Sequence, residues 1–154
     1  MIVNISGYDV LIDDEDYPLF LVGASWNALG TRGPYFACIV KGYHKPVYLH
    51  RLLAHAPDGM QVDHINMDTL DNRKANLRIC TQAENRRNLK KQNGNFTSKY
   101  KGVKKAHTPG DHWEANICIN RKHIYLGSFP SEELAHAAYC KAAKKYHGEY
   151  ARLE

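Results

Sequence analysis

The stretch from Gln61 to Lys91 constrains this chain most, because it reads in succession as strand, loop, strand and helix. Gln61 to Ile65 has strand character, Asn66 to Ala75 is polar, and Leu77 to Cys80 is a second strand. Thr81 opens a helix. In Thr81-Gln82-Ala83-Glu84 the hydroxyl can accept from the amide three residues on while Glu84 reaches back to the cap. The helix is expected to run to about Lys91, ahead of Asn93 and Gly94.

Polar residues sit in that frame at fixed spacing. Asp63 and His64 adjoin at the end of the first strand, Asn76 follows twelve positions after His64, and Asn85 nine after that. Adjacent strand residues point to opposite faces, so Asp63 and His64 can serve one site only if the strand ends there, as expected. Singly, each is an ordinary loop or turn residue, Asn72 a turn position and Asn88 an exposed one. The combined spacing carries the chemistry. The resemblance to HNH nucleases that these residues carry implies phosphodiester hydrolysis, which needs a water deprotonated near neutral pH and a cation to offset charge on the leaving oxygen. A neutral histidine with a pKa of ~6.5 supplies the first. Asp63 and the Asn85 amide oxygen are hard donors, which favour Mg²⁺ or Mn²⁺.

Val62-Asp63-His64-Ile65-Asn66, Leu70 to Arg78 and Glu84-Asn85-Arg86-Arg87-Asn88 together resemble the HNH nucleases of the ββα-metal type. The resemblance implies that Asp63 binds the catalytic metal and His64 is the general base. It also implies that Asn76 pins the loop holding His64 and that Asn85 is the second metal ligand, a position filled by His in some members. Leu49-His50-Arg51-Leu52-Leu53 resembles the helix preceding the motif in phage members, and His50 is expected to be structural there. His44, His55 and His107 suggest no site.

Ahead of this motif, Tyr8 to Ile12, Tyr35 to Val40 and Val47 to Leu49 read as short strands, punctuated by Gly23, Gly30, Gly33, Pro34 and Gly42. A short helix is expected from Leu49 to Ala56, stopped by Pro57, Asp58 and Gly59. Beyond it, the polar string Gln92 to Ser98 is the candidate linker. The expected division is a nuclease unit at 1–92 with its core at about 60–91, a linker at 93–98, and a second unit at 99–154. In that second unit Gly102 to Lys105, Trp113 to Ile119 and Ile124 to Phe129 alternate as three strands, with Asn120-Arg121 at a hairpin tip. Ser131 caps a closing helix that ends at Gly148. Its apolar face is expected at Leu134, Ala138, Ala142 and Tyr146, widened by Ala135, Tyr139 and Ala143. Lys141, Lys144 and Lys145 lie in its last turns, where they favour the helix dipole.

Charge points to the partner. The chain of 154 residues carries 21 Lys+Arg against 16 Asp+Glu, a net +5, yet residues 1 to 58 are net acidic. Arg73 to Lys105 holds eleven basic side chains against the single acid Glu84. Such a run self-repels unless something negative lies along it, and a nucleic-acid backbone is the usual partner. Asn and Gly interrupt the run, not a bulky apolar face, which disfavours a lipid surface. No apolar stretch approaches the ~18 residues of a membrane helix. The early acids Asp13, Asp14, Glu15 and Asp16 disagree with a cleaved signal peptide, so a cytoplasmic location, in a bacterial or phage-infected cell, is expected. Cys38, Cys80, Cys118 and Cys140 are 42, 38 and 22 positions apart with no zinc-ligand spacing, so they read as small buried residues and no zinc is expected.

Tyr100 to Lys105, Trp113 to Ile117, Tyr125 to Phe129 and the closing helix resemble the plant ethylene-response-factor (APETALA-type) DNA-binding domain. The resemblance implies three strands in the major groove with the helix behind them. It makes Lys101, Lys104, Trp113, His123 and Tyr125 candidate contacts, and Gly102 a point of close backbone approach. Lys stands at 101 and 104 where the family has Arg, Asn116 and Cys118 where Glu and Arg are usual, and Ala106 lacks a basic side chain. Lysine has no bidentate fork for guanine, which alters base readout. Trp113 and Tyr125 read equally well as sheet core.

The expected fold class is α+β: small N-terminal strands and a ββα-metal core, linked to a three-stranded antiparallel sheet with one packing helix. The expected function is a Mg²⁺- or Mn²⁺-dependent endonuclease of the homing type acting on double-stranded DNA as monomer or homodimer. Arg73, Arg78, Arg86 and Arg87 join the second unit's residues as DNA contacts. A non-catalytic DNA-binding regulator is the alternative, and RNA binding through Trp113, Tyr125 and Phe129 a third reading.

Overall fold

Short antiparallel pairs dominate the structure, a computed structural model that describes residues 1–21, 25–29, 34–38, 45–89, 91, 94–107 and 110–153, without the side chains of 20, 21, 37 and 38. The turns expected at Gly23, Gly30, Gly33 and Gly42, the strand end at Val40, and His44, Lys90, Gln92 and Asn93 lie outside the described residues. The architecture is α+β. The chain divides into two compact units, Met1–Asn85 and Arg86–Glu154, at a point inside a helix and ahead of the polar string from 92.

In the first unit β1 (Ile2–Ile5) pairs with β2 (Tyr8–Leu11) across a two-residue turn, Ser6 and Gly7, both at positive φ. Such a turn matches the twist of the strands it joins. Alternation buries Val3, Ile5 and Val10 on one face. A short turn at Asp14–Asp16 and α1 (Pro18–Leu21) follow. Next, β3 (Trp26–Leu29), β4 (Tyr35–Cys38) and β5 (Val47–Tyr48) form an antiparallel sheet in that order. The helix after it, α2 (Leu49–Leu53), ends three residues before the expected Ala56. His55 adopts φ +50°, which a continuing helix cannot accommodate. Leu49 and Leu53, one turn apart, are buried with Phe36, Ile12, Val62 and Leu77. This core supports β6 (Gln61–His64) and β7 (Leu77–Cys80), paired antiparallel with Asp63 opposite Arg78 and His64 opposite Leu77.

The helix α3 (Gln82–Asn88) follows. Its capping box is formed: the Thr81 amide donates to Glu84 Oε2 at 2.8 Å and the Glu84 amide to Thr81 Oγ1 at 3.3 Å. It stops at Asn88, short of the expected Lys91, because Lys101 closes it. The Lys101 ammonium donates to the carbonyls of Arg87 and Leu89 at 2.8 and 2.9 Å, taking two of the acceptors a helix end leaves unpaired. Asn88, expected at the surface, is buried.

In the second unit β8 (Val103–Lys105), β9 (Trp113–Ile119) and β10 (Lys122–Phe129) form a sheet in the order β10-β9-β8. Asn120 and Arg121, both at positive φ, make the hairpin turn. Ser131 caps α4 (Glu132–His147) by accepting from the Leu134 amide, and Gly148 follows at φ +56°. The buried face of α4 is Ala135, Tyr139, Ala142, Ala143 and His147, whereas Leu134 and Tyr146 are exposed. That corrects the expected stripe by about one position around the helix. Tyr139 decides the rotation. A Cβ on Gly102 would lie 2.3 Å from its ring and 2.5 Å from the Asn116 carbonyl oxygen, so only glycine lets the ring reach the sheet. Of the cysteines expected inside, Cys80 is buried, Cys140 half-buried and Cys118 exposed on the outward side of β9.

Candidate active site

The site forms where β6 runs out. His64 is the last residue of the strand, and the Met67 amide turns back onto its carbonyl at 2.9 Å. Gln61 and Asp63, two apart, share one face of β6. Asn85 Nδ2 donates to Gln61 Oε1 at 2.7 Å, which brings Asn85 from α3 onto that same face. Asp63 takes Nε and Nη2 of Arg78 on Oδ2, at 3.0 and 2.6 Å, in an ion pair about nine-tenths shielded from solvent. Such a buried pair fixes the carboxylate's orientation more than it adds stability.

Asn76 ties the loop. Its Oδ1 accepts from the Asn66 amide at 3.0 Å, and its Nδ2 donates to Asn66 Oδ1 and the Asp71 carbonyl at 2.9 and 2.8 Å. Asp71 in turn receives Arg73 on both oxygens at 2.8 Å. That hydrogen-bonded pair holds the Asp71 carboxyl below its ordinary value. The loop is also gripped from the N-terminal side: the Leu11 amide donates to the Leu70 carbonyl, and the Lys74 amide to Asp13 Oδ2, each at 2.8 Å.

His64 is buried, and burial lowers its pKa below the usual 6.5 despite nearby Asp63, Asp68 and Asp71. A neutral imidazole is the form able to accept a proton. Two neighbours were not recognised as site residues from the sequence. Asn72 is 2% exposed, with Oδ1 3.3 Å from His64 Nε2. His50 stands with its ring centroid 5.6 Å from that of His64 and similar distances from Tyr35 and Tyr48. Burial first, then the charges of His64 and Arg51, lower its pKa to about 4. The resemblance of Leu49 to Leu53 to the helix preceding the motif, where His50 was expected to be structural, was the signal available.

The donor set suits a hard divalent cation. Asp63 would offer a carboxylate and Asn85, whose Nδ2 is taken by Gln61, an amide oxygen, the kind of donors that Mg²⁺ sites relying on water and substrate phosphate use. Among the described residues no three His, Cys, Asp or Glu side chains converge as a metal site by themselves.

The proposed DNA contacts are dispersed. Arg73 and Arg78 are engaged by Asp71 and Asp63, and Lys101 by helix carbonyls. Lys104 pairs with Glu114 at 3.1 Å while remaining half exposed. Arg86 and His123 are exposed, Arg87 is half-buried, and Tyr125 is 57% exposed on β10. Trp113 packs against Val103, Ala115 and Ala135, and the close approach permitted at Gly102 is internal, to Tyr139.

Residues 47–87 match the family model described as HNH endonuclease. The chain is 32% identical to an ethylene-responsive transcription factor of Arabidopsis thaliana, over 81% of this chain and 31% of that protein. It is 29% identical to an uncharacterized HNH endonuclease of Acanthamoeba polyphaga mimivirus, over 70% of this chain and 54% of that protein. The chain thus spans about a third and about half of the lengths of these two relatives. No solved structure matches it.

Proposed function

We propose that this protein is a Mg²⁺- or Mn²⁺-dependent HNH endonuclease of the homing type, cutting or nicking double-stranded DNA in a bacterial or phage-infected cytoplasm. The observation that carries the reading is the Asn85–Gln61 hydrogen bond, which holds Asn85 on the face of β6 that bears Asp63, at the strand end occupied by His64. Asp63 and Asn85 would hold the cation, which when bound supplies charge stabilisation at the phosphate and its leaving oxygen. His64, kept neutral by burial, takes the proton of the attacking water. Asn76 keeps the 66–76 loop closed around it through three side-chain hydrogen bonds.

In the same reading residues 1–92 are the nuclease domain and 99–154 an APETALA-type recognition domain. Arg86, Arg87, Lys104, His123 and Tyr125 would face DNA, since they retain exposure, whereas Arg73, Arg78, Lys101, Gly102 and Trp113 serve the fold first. Tethering a reading unit to a weakly selective cutter raises the local DNA concentration at the site. Monomer and homodimer are both compatible, one nicking and the other cutting both strands. The likeness of four-fifths of the chain to a transcription factor favours a second reading, a regulator that binds without cutting.

Supercoiled plasmid incubated with the protein and Mg²⁺, with EDTA, and with the His64→Ala variant separates the two. Nicked or linear product requiring both metal and His64 is expected. Salt-sensitive binding with no product under any of these conditions would install the regulator instead.

A further inference from the structure

We propose that Asn72 is a positioning residue that selects the tautomer of His64, making Nδ1 the nitrogen that receives the proton from water. The inference deepens the nuclease reading and rests on it for its catalytic consequence. Its structural part stands alone.

A second hydrogen bond fixes the amide's orientation. Asn72 Nδ2 donates to the Thr69 carbonyl at 2.9 Å, which leaves Oδ1 toward His64 Nε2 at 3.3 Å. The flipped amide would set Oδ1 against a carbonyl oxygen, two acceptors facing each other, so Thr69 decides the assignment. An amide oxygen only accepts. Nε2 must therefore carry the hydrogen, and in a neutral imidazole the lone pair then belongs to Nδ1.

Asn72 cannot readily turn away from this task. Its backbone amide donates to the Leu11 carbonyl at 2.8 Å, and the Leu11 amide donates to the Leu70 carbonyl at 2.8 Å, so β2 grips the chain at Asn72 and two residues before it. At 2% exposure the side chain is shielded from bulk solvent. The clamp comes from the N-terminal hairpin, outside the residues 47–87 that match the nuclease family.

The test has a direct and a kinetic arm. Nitrogen-15 NMR of the histidine rings of the full chain, without metal and at a pH where His64 is neutral, should show His64 protonated on Nε2. The Asn72→Ala variant should show a mixture of tautomers. Single-turnover plasmid cleavage with Mg²⁺ should fall roughly 10- to 100-fold in Asn72→Ala with DNA affinity unchanged, the range for losing a partner that orients a site ligand. Wild-type His64 protonated on Nδ1 would overturn the inference without any variant. So would a rate loss in Asn72→Ala with the wild-type tautomer retained, which assigns a merely structural role, or an unchanged rate and tautomer. If wild type cuts nothing while its tautomer is Nε2–H, the nuclease reading fails and the positioning by Asn72 survives.

Discussion

At the residue scale, the site is held together by contacts between groups that want to be uncharged or paired. His50 shows the consequence. It sits against Tyr35, Tyr48 and His64, with a pKa lowered to about 4 chiefly by burial. In the unfolded chain the same ring titrates near ~6.5. Above that value both states are neutral and His50 makes no pH-dependent contribution. As pH falls from about 6.5 to 4 the unfolded chain takes the proton first, so stability is lost through that window, on the order of 2–3 kcal/mol. Urea unfolding at pH 7 and pH 4.5 should show this loss in wild type, and His50→Gln should remove most of it. An identical pH slope in the variant would assign the acid sensitivity to other groups. Asp63, His64, Asn76 and Asn85 were proposed as a set from the HNH resemblance of one strand-loop-strand-helix string, and that string is formed. Asn72 was legible only as a turn residue, since its contact with His64 depends on the path of a loop clamped by Leu11, far away in sequence.

At the element scale, local chemistry proved readable where it closes within a few residues. The Thr81–Glu84 box, the Asn120-Arg121 turn and the Ser131 cap each form as their sequences dictate. Faces were less readable. Two neighbouring rows of α4 are both apolar, Leu134-Ala138-Ala142-Tyr146 and Ala135-Tyr139-Ala143, and periodicity cannot choose between them. The choice falls to Gly102, whose bare backbone admits the Tyr139 ring. Gly102 also has φ +73°, where a side chain is strained. Gly102→Ala should therefore combine overpacking with backbone strain and cost roughly 2–4 kcal/mol. Thermal unfolding of the full chain followed by near-ultraviolet circular dichroism would register it. A change within about 0.5 kcal/mol, the size of an ordinary surface substitution, would mean that Tyr139 is not seated as described.

At the scale of the whole molecule, the basic run from Arg73 to Lys105 is less available than its count suggests. Arg73 and Arg78 are paired with carboxylates, as are Lys74, Lys104 and Lys105. Lys91 donates to the carbonyls of Ser98 and Tyr100, and Lys101 to those of Arg87 and Leu89. Much of the run is thus fold chemistry that charge counting alone reads as a nucleic-acid footprint. The distinction is measurable because each phosphate neutralised contributes about 0.9 to the slope of log binding constant against log salt on duplex DNA. Replacing Arg86 and Arg87 together by Ala should flatten that slope by about 2 while leaving thermal stability nearly unchanged. Lys101→Ala should do the reverse: it removes two hydrogen bonds from a half-buried ammonium and leaves helix carbonyls unpaired. Stability should then fall by about 1–3 kcal/mol with the salt slope kept. Titrations of a fluorescent duplex at several salt concentrations, beside unfolding curves of the same variants, read both quantities. A slope that falls with Lys101 and not with Arg86 and Arg87 would move the DNA-facing surface from α3 to the loop before β8.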